Sequence, residues 1–306
     1  MQILKSPPRY RSFCLTNKDG QGLELSQSFL KLPKGVSHRF SSMLCMLGQR
    51  DCGFFHFPIE YVTGLYHVKD QDFSDYSLLI ADSEDSLNQF KEQWVKIALD
   101  IPGKAVTLPG YAKCYIEKGI VIGAGLSINH FRLPYELEQE IKWLQGKAIA
   151  AIKRANAPEE KTTLVLVKRN KSRIVANWDE VKSLCQDFAD KLNLRLDIFD
   201  DSRDLGSVVS QLSRFYKARI IVGRHGAGFT NLIGCSPGES FLVEGKSKVR
   251  DEDGKRDKKY VEADPPCFEH LAKICKVDYC GIDVSNDVLN IDQLNNELTK
   301  IVEYLL

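Results

Sequence analysis

The chain has 306 residues, 43% hydrophobic and 27% charged, with a net charge of +1. That length exceeds one ordinary core and predicts two domains. The near-neutral balance excludes a nucleic-acid binder with a broad basic field, and no apolar run reaches the 18 residues of a membrane span. The opening residues MQILKSPPRYRSF lack the apolar core of a signal peptide, so a cytoplasmic protein is expected. Nine cysteines form no C-x-x-C pair, which argues against zinc and for a reducing compartment.

The first 50 residues are poorly periodic. Residues 53–66, GFFHFPIEYVTGLY, read as a buried helix entered through glycine. Residues 76–81, YSLLIA, read as a buried strand. In DSLNQFKEQWVKIAL, Leu87, Phe90, Trp94 and Ile97 fall on one helical face. KAVTLP and KCYIEKGIVIGAG read as further strands, which suggests an α/β layer. A long helix runs from about Pro134 to Asn156, and the proline and charge of NAPEEKT place the domain boundary after it, giving domains 1–150 and 151–306.

The second half alternates more cleanly. Strand TLVLVKR precedes a helix capped by Asn177, then come strand LRLDIFD, helix SVVSQLSRFYKA and strand RIIVG. A short helix starts near Gly226, strand SFLVEG follows, and CFEHLAKICK, a strand around Tyr279 and a final helix complete the chain. This pattern predicts a doubly wound parallel sheet, whose ligands sit at the carboxyl ends of the strands. Arg169, the 223–228 loop and Glu244 all lie at such ends.

The stretch RIIVGRHGAGFTNLIGCSPGESFLVEG carries the chemistry. Gly226 and Gly228, flanking Ala227, let a backbone approach a ligand closely. A helix start offers free N–H groups and partial positive charge. Arg224 adds a planar double donor and His225 a single one. Together these fit a diphosphate; a tight turn built for packing is the plain alternative. The dinucleotide fingerprint fails here, because Asn231 stands at its third glycine, and GKS at 245–247 lacks the earlier glycine of a P-loop. Glu244 ends the next strand, where a carboxylate accepts ribose hydroxyls in dinucleotide folds. Arg169 and Arg173 would hold phosphate from the first strand of this half. A diphosphate beside a ribose describes a nucleotide or a nucleotide sugar.

These residues together resemble glycosyltransferase family 61. Residues 218–244 resemble its signature of strand, G-x-H-G-A-x-x-T-N core, P-G turn and strand ending in glutamate, and LVLVKRNKSRIVAN resembles its arginine-bearing strand and loop. GFFHFPIEYVTGLY resembles its N-terminal helix more loosely, with Phe57 where the family normally has tryptophan. The resemblance implies the GT-B arrangement, two Rossmann-like domains with parallel sheets facing across a cleft, and a last helix that packs partly on the N-terminal domain. It implies inverting transfer from a UDP-sugar, such as UDP-xylose or UDP-N-acetylglucosamine, to a hydroxyl of a glycan or glycoprotein, with no required metal or other cofactor. Arg169, Arg173, His225, Gly226, Asn231 and Glu244 would be donor-site positions.

Inverting transfer needs a base for the acceptor hydroxyl. His56 and Glu60 stand one helical turn apart, and Asp51 lies just before them. Asp70 with Asp72 and Asp251 with Asp253 form D-x-D pairs, both read as solvated loops rather than metal ligands. Two rival readings stay open: an inactive nucleotide-binding or scaffold protein, kept alive by Phe57, and a nicotinamide oxidoreductase, opposed by the missing fingerprint.

Overall fold

The computed structural model describes residues 2–5, 13–16, 22–23, 38–47, 54–80, 85–99, 105–106, 113–123, 134–170, 172–200, 206–247 and 265–306. The chain divides into two compact units, Met1–Arg132 and Leu133–Leu306. The division falls ahead of the expected boundary at 150. The long helix there, after a 3-10 turn at Pro134–Leu137, packs its apolar stripe within the second unit, with Ile141, Leu144, Ala148 and Ile152 buried.

In the first unit β1 (Gln2–Lys5), β2 (Phe13–Thr16), β3 (Gly22–Leu23) and β4 (His38–Leu47) come first. A π-helical turn at Phe57–Tyr61 runs into a 3-10 turn at Val62–Val68. Then follow β5 (Ser77–Ile80), α1 (Asp85–Leu99), β6 (Ala105–Val106) and β7 (Lys113–Gly123). The sheet order is β3-β2-β1-β7-β4-β5-β6. Strands β7, β4, β5 and β6 are parallel, as expected, but β1 to β3 join antiparallel, so this sheet is mixed. For β1 and β2 the cause is connection length. A parallel crossover needs a dozen or more residues, and only residues 6–12 separate β1 from β2. Phe90, Trp94 and Ile97 of α1 are buried, as their spacing requires.

The second unit contains α2 (Glu138–Arg154), β8 (Thr163–Lys168), α3 (Trp178–Lys191), β9 (Arg195–Asp200), α4 (Val208–Tyr216) and β10 (Ala218–Arg224). A 3-10 helix at Ala227–Gly234 leads to β11 (Phe241–Ser247), α5 (Cys267–Cys275), β12 (Asp278–Ser285), β13 (Val288–Leu289) and α6 (Ile291–Leu305). The sheet order is β13-β12-β11-β10-β8-β9, parallel throughout except for β13. The second strand of this unit lies at one edge, and the order reverses between β8 and β10. That reversal is a topological switch point, where open α/β sheets bind ligands at the carboxyl ends of their strands.

Side-chain alternation divides the sheet into two faces. Leu164, Leu166, Ile220, Val222, Val243, Ile282 and Val284 pack under α3 and α6. Val165, Val167, Ile221 and Leu242 are buried on the opposite face, where α2, α4, α5 and the 227–234 turn pack together. The buried side of α6, Leu294, Leu298 and Ile301, belongs to the first of these cores. The 227–234 turn lies so close to α4 that a Cβ on Gly234 would stand 2.7 Å from the Leu212 carbonyl oxygen. Backbone cannot swing aside as a side chain can. Gly234→Ala is therefore expected to cost about 1–3 kcal/mol by overpacking. Urea unfolding measures it, and unchanged stability would mean the two segments stand further apart.

Candidate active site

At the switch point β8 and β10 run side by side, with Gly223 opposite Val167. Glycine at 223 is required here, because a Cβ would lie 2.8 Å from the Val167 Cβ. The chain turns at Gly226 into the 3-10 helix. A Cβ on Gly226 would fall 1.8 Å from Nη1 of Arg169. The guanidinium of Arg169 thus rests directly on the glycine backbone, and a side chain at 226 would have to displace it. Arg169 also donates from Nη2 to Ser172 Oγ at 2.9 Å and from Nε to the Ser172 carbonyl at 3.3 Å. Ala227 and Gly228 remain partly exposed beside it. Arg173 is exposed and holds φ of +52°. Such a conformation costs a non-glycine residue on the order of 1–3 kcal/mol and persists only where the surroundings fix it.

Next to this edge lies a buried polar cluster. Glu244 is wholly buried. One carboxylate oxygen meets Nδ1 of His225 at 2.6 Å, and the other accepts from the Tyr279 hydroxyl at 2.8 Å. Burial, with the Glu244 charge beside it, raises the Tyr279 pKa far above neutrality, so the phenol stays a donor. The His225 ring packs on Phe268 at 4.8 Å between centroids, and its Nε2 lies 4.0 Å from Cys267 Sγ. A Cys–His–Glu row of this kind suggests nucleophilic catalysis. Burial and the Glu244 charge push the Cys267 thiol up to about 12, so it remains protonated and inert.

In the first unit His56 and Glu60 form a second His–carboxylate pair, Nδ1 to Oε1 at 2.6 Å. Glu60 is buried and the His56 side chain is 40% exposed. An ionised carboxylate only accepts, so in the tautomer that suits this bond the proton sits on Nδ1 and Nε2 carries the lone pair. The pair stands on the π-helical turn, a geometry enriched at functional sites. Pro58, which has no N–H to give to an α-helical ladder, lies within that turn. Lys91 of α1 is fully buried, with its ammonium 5.6 Å from the centre of the Phe57 ring.

The sequence profile of the family described as Glycosyltransferase 61 matches residues 54–242. The chain belongs to glycosyltransferase family 61. No curated protein matches the chain. The family match takes in the His56–Glu60 pair, the arginine loop and the glycine loop, and it ends two residues before Glu244.

Against that family frame the expected site residues separate. Arg169, Gly226, Ala227 and Gly228 come together at the switch point, and Arg173 lies in the adjoining loop. His56 and Glu60 pair as their spacing predicts. Asp51 lies outside the described residues, as do Asp251 and Asp253. Asp70 is exposed beside Lys69, and Asp72 accepts from the Ser74 backbone N–H at 2.9 Å. Asn231 turns its amide onto the Gly228 carbonyl at 3.0 Å and braces the turn from within.

Three of the expected donor-site residues have partners within the fold. Arg224 does not join the glycine loop. It shares the face of Ile220 and Val222, opposite to Gly223, and its buried guanidinium is bonded to the Ile174 carbonyl, Asp287 and Ser247. Glu244, expected as a ribose acceptor, is wholly buried, with one oxygen bonded to His225 and the other to Tyr279. His225 in turn is buried and held by Glu244 rather than offered to a ligand. Tyr279 and Asp287 were not anticipated from the sequence. Their partners lie 35 and 63 residues away in the chain. Only the Asn286–Asp287 pair between two short β-runs signals a hairpin that could carry Asp287.

Glu244→Gln replaces one acceptor oxygen with a donor and breaks the match to His225 or Tyr279. Losing a bond to a buried charged group typically costs about 1.5–3 kcal/mol. Denaturant unfolding should show a loss of that order, with nucleotide affinity changing little. The reverse pattern, unchanged stability with weakened nucleotide binding, would restore Glu244 as a ribose ligand.

Proposed function

We propose that the protein is an inverting glycosyltransferase of the GT-B kind that moves a xylose- or N-acetylglucosamine-type sugar from a UDP-sugar to a hydroxyl of a glycan or glycoprotein. The observation that carries this reading is the family match over residues 54–242, which covers both the glycine-bearing switch point and the His56–Glu60 pair. The second unit supplies the donor site. Arg169 and Arg173 face the diphosphate, and the backbone amides following Gly226 add donors at the start of the turn.

The first unit supplies the base. The acceptor hydroxyl oxygen attacks the anomeric carbon as His56 Nε2 takes its proton. The bond from that carbon to the diphosphate oxygen breaks, and UDP departs with the electron pair. Glu60 keeps the proton on Nδ1 and stabilises the imidazolium that forms. The arginines neutralise the leaving diphosphate, so the chemistry needs no metal ion. Phe57 preserves an aromatic face against Lys91 where the family normally places tryptophan, and the fold of the helix tolerates it.

A screen of nucleotide-sugar hydrolysis tests the reading without knowledge of the acceptor. One UDP-sugar should be hydrolysed, and a metal chelator in the same assay should leave the rate unchanged. His56→Ala should lower turnover about 10²–10⁴-fold, the usual contribution of a general base, while UDP affinity stays near that of the parent. Saturable UDP binding with no turnover on any donor or acceptor would instead assign an inactive nucleotide-binding protein. Activity lost to chelator and restored by manganese would remove the metal-free mechanism.

A further inference from the structure

The loop that carries Arg173 is tied down on both sides. On one side Arg169 donates to the backbone carbonyl and the hydroxyl of Ser172. On the other, Arg224 donates from Nη1 to the carbonyl of Ile174 at 2.7 Å. The same nitrogen is bonded to the carboxylate of Asp287. Asp287 accepts the Ala176 N–H on its own backbone carbonyl at 2.8 Å. Asn177 completes the seam by exchanging two bonds with the backbone of Leu289, at 2.9 and 3.0 Å.

Asp287 sits at the tip of the β12–β13 hairpin. Its two-residue turn, Asn286–Asp287, has φ of +49° and +64°. Positive φ at both positions is the signature of the type I′ turn, whose twist matches the strands that it joins. The hairpin is thus a short, defined arm. It reaches past β11 and β10 in sheet order to hold a loop that begins at β8. Arg224 stands between arm and loop, its side chain only 7% exposed, while Asp287 is 60% exposed. The pair thus joins a buried guanidinium to a carboxylate at the surface. It fixes the arm against the loop, and through the Ile174 carbonyl it sets the backbone geometry beside Arg173.

We propose that Arg224 and Asp287 are positioning residues of the donor site. They act through Arg173, fixing its left-handed backbone and with it the direction from which its exposed side chain reaches the phosphates of a nucleoside diphosphate. This rests on the reading of Arg173 as a phosphate ligand. It gives Arg224 a place in nucleotide binding without contact to the nucleotide, and it gives the hairpin tip a function.

A double-mutant cycle tests the proposal, because coupling between residues in one network shows as non-additivity. Asp287→Gly removes the carboxylate and tolerates the positive φ. UDP is titrated into the parent, Arg173→Ala, Asp287→Gly and the double variant, with thermal unfolding of each recorded alongside. Arg173→Ala and Asp287→Gly should each weaken UDP binding about tenfold, and the double variant should bind no more weakly than Arg173→Ala. Asp287→Asn, which keeps an acceptor oxygen and accepts the same backbone, should recover most of the loss; Arg224→Lys, which keeps the charge and loses the planar fork, takes the place of Asp287→Gly in the cycle if that variant fails to fold. Additive losses, or a normal affinity in Asp287→Gly, would overturn the proposal while leaving Arg173 a ligand. An Arg173→Ala variant that binds UDP as the parent does, or a parent that binds no UDP, would overturn the donor-site reading and the proposal with it.

Discussion

The carboxylate of Glu244 is the constraint on which the β8–β10 edge depends. It is fully buried and lies between two donors from different strands, His225 beyond β10 and Tyr279 on β12. A buried carboxylate is costly unless its oxygens are met, so the cluster holds together as a unit. By gripping His225 it fixes where the chain leaves β10. That exit sets Gly226, and Gly226 sets the room in which Arg169 lies. A buried network thus places an exposed arginine two links away.

The same sheet then sorts the charged groups by parity. Gly223 and Arg224 are neighbours in sequence but point to opposite faces. Gly223 borders Val167 and Phe229, while Arg224 joins the face of Ile220 and Val222 and meets Ile174 and Asp287. One arginine of the stretch therefore serves the architecture and two others, Arg169 and Arg173, serve the edge. The first unit repeats the His–carboxylate pairing in a more open form. His225 is buried against Glu244, whereas His56 is held by a buried Glu60 and its side chain is 40% exposed. Identical chemistry gives a brace in one place and a candidate base in the other, and exposure makes the difference.

Much of the second unit was legible in the sequence. Strands β8 and β10 are continuous apolar runs bounded by turn residues, and the helices between them carry clean 3.6-residue stripes. The His56–Glu60 pair was legible because a spacing of four suffices to bring two side chains together. Strand β4 was not, since the polar residues His38, Arg39, Ser41 and Ser42 mask its period. The direction of Arg224 could have been read from its even-numbered company, Ile220 and Val222. The partnership of Glu244 with His225 and Tyr279 could not, because it depends on the register of three strands far apart in the chain. For the same reason the hairpin tip at Asp287 gave no sign of which loop it would hold.

The central claim is that the reversal between β8 and β10 binds a nucleoside diphosphate through Arg169 resting on Gly226. Calorimetric titration of UDP into the parent and into Arg169→Ala addresses it most directly. The account predicts one site per chain in the parent and an affinity at least about tenfold weaker in the variant, a loss of about 1.4 kcal/mol or more. Equal affinity in the two proteins, with the variant as stable as the parent, would place the nucleotide elsewhere and contradict it.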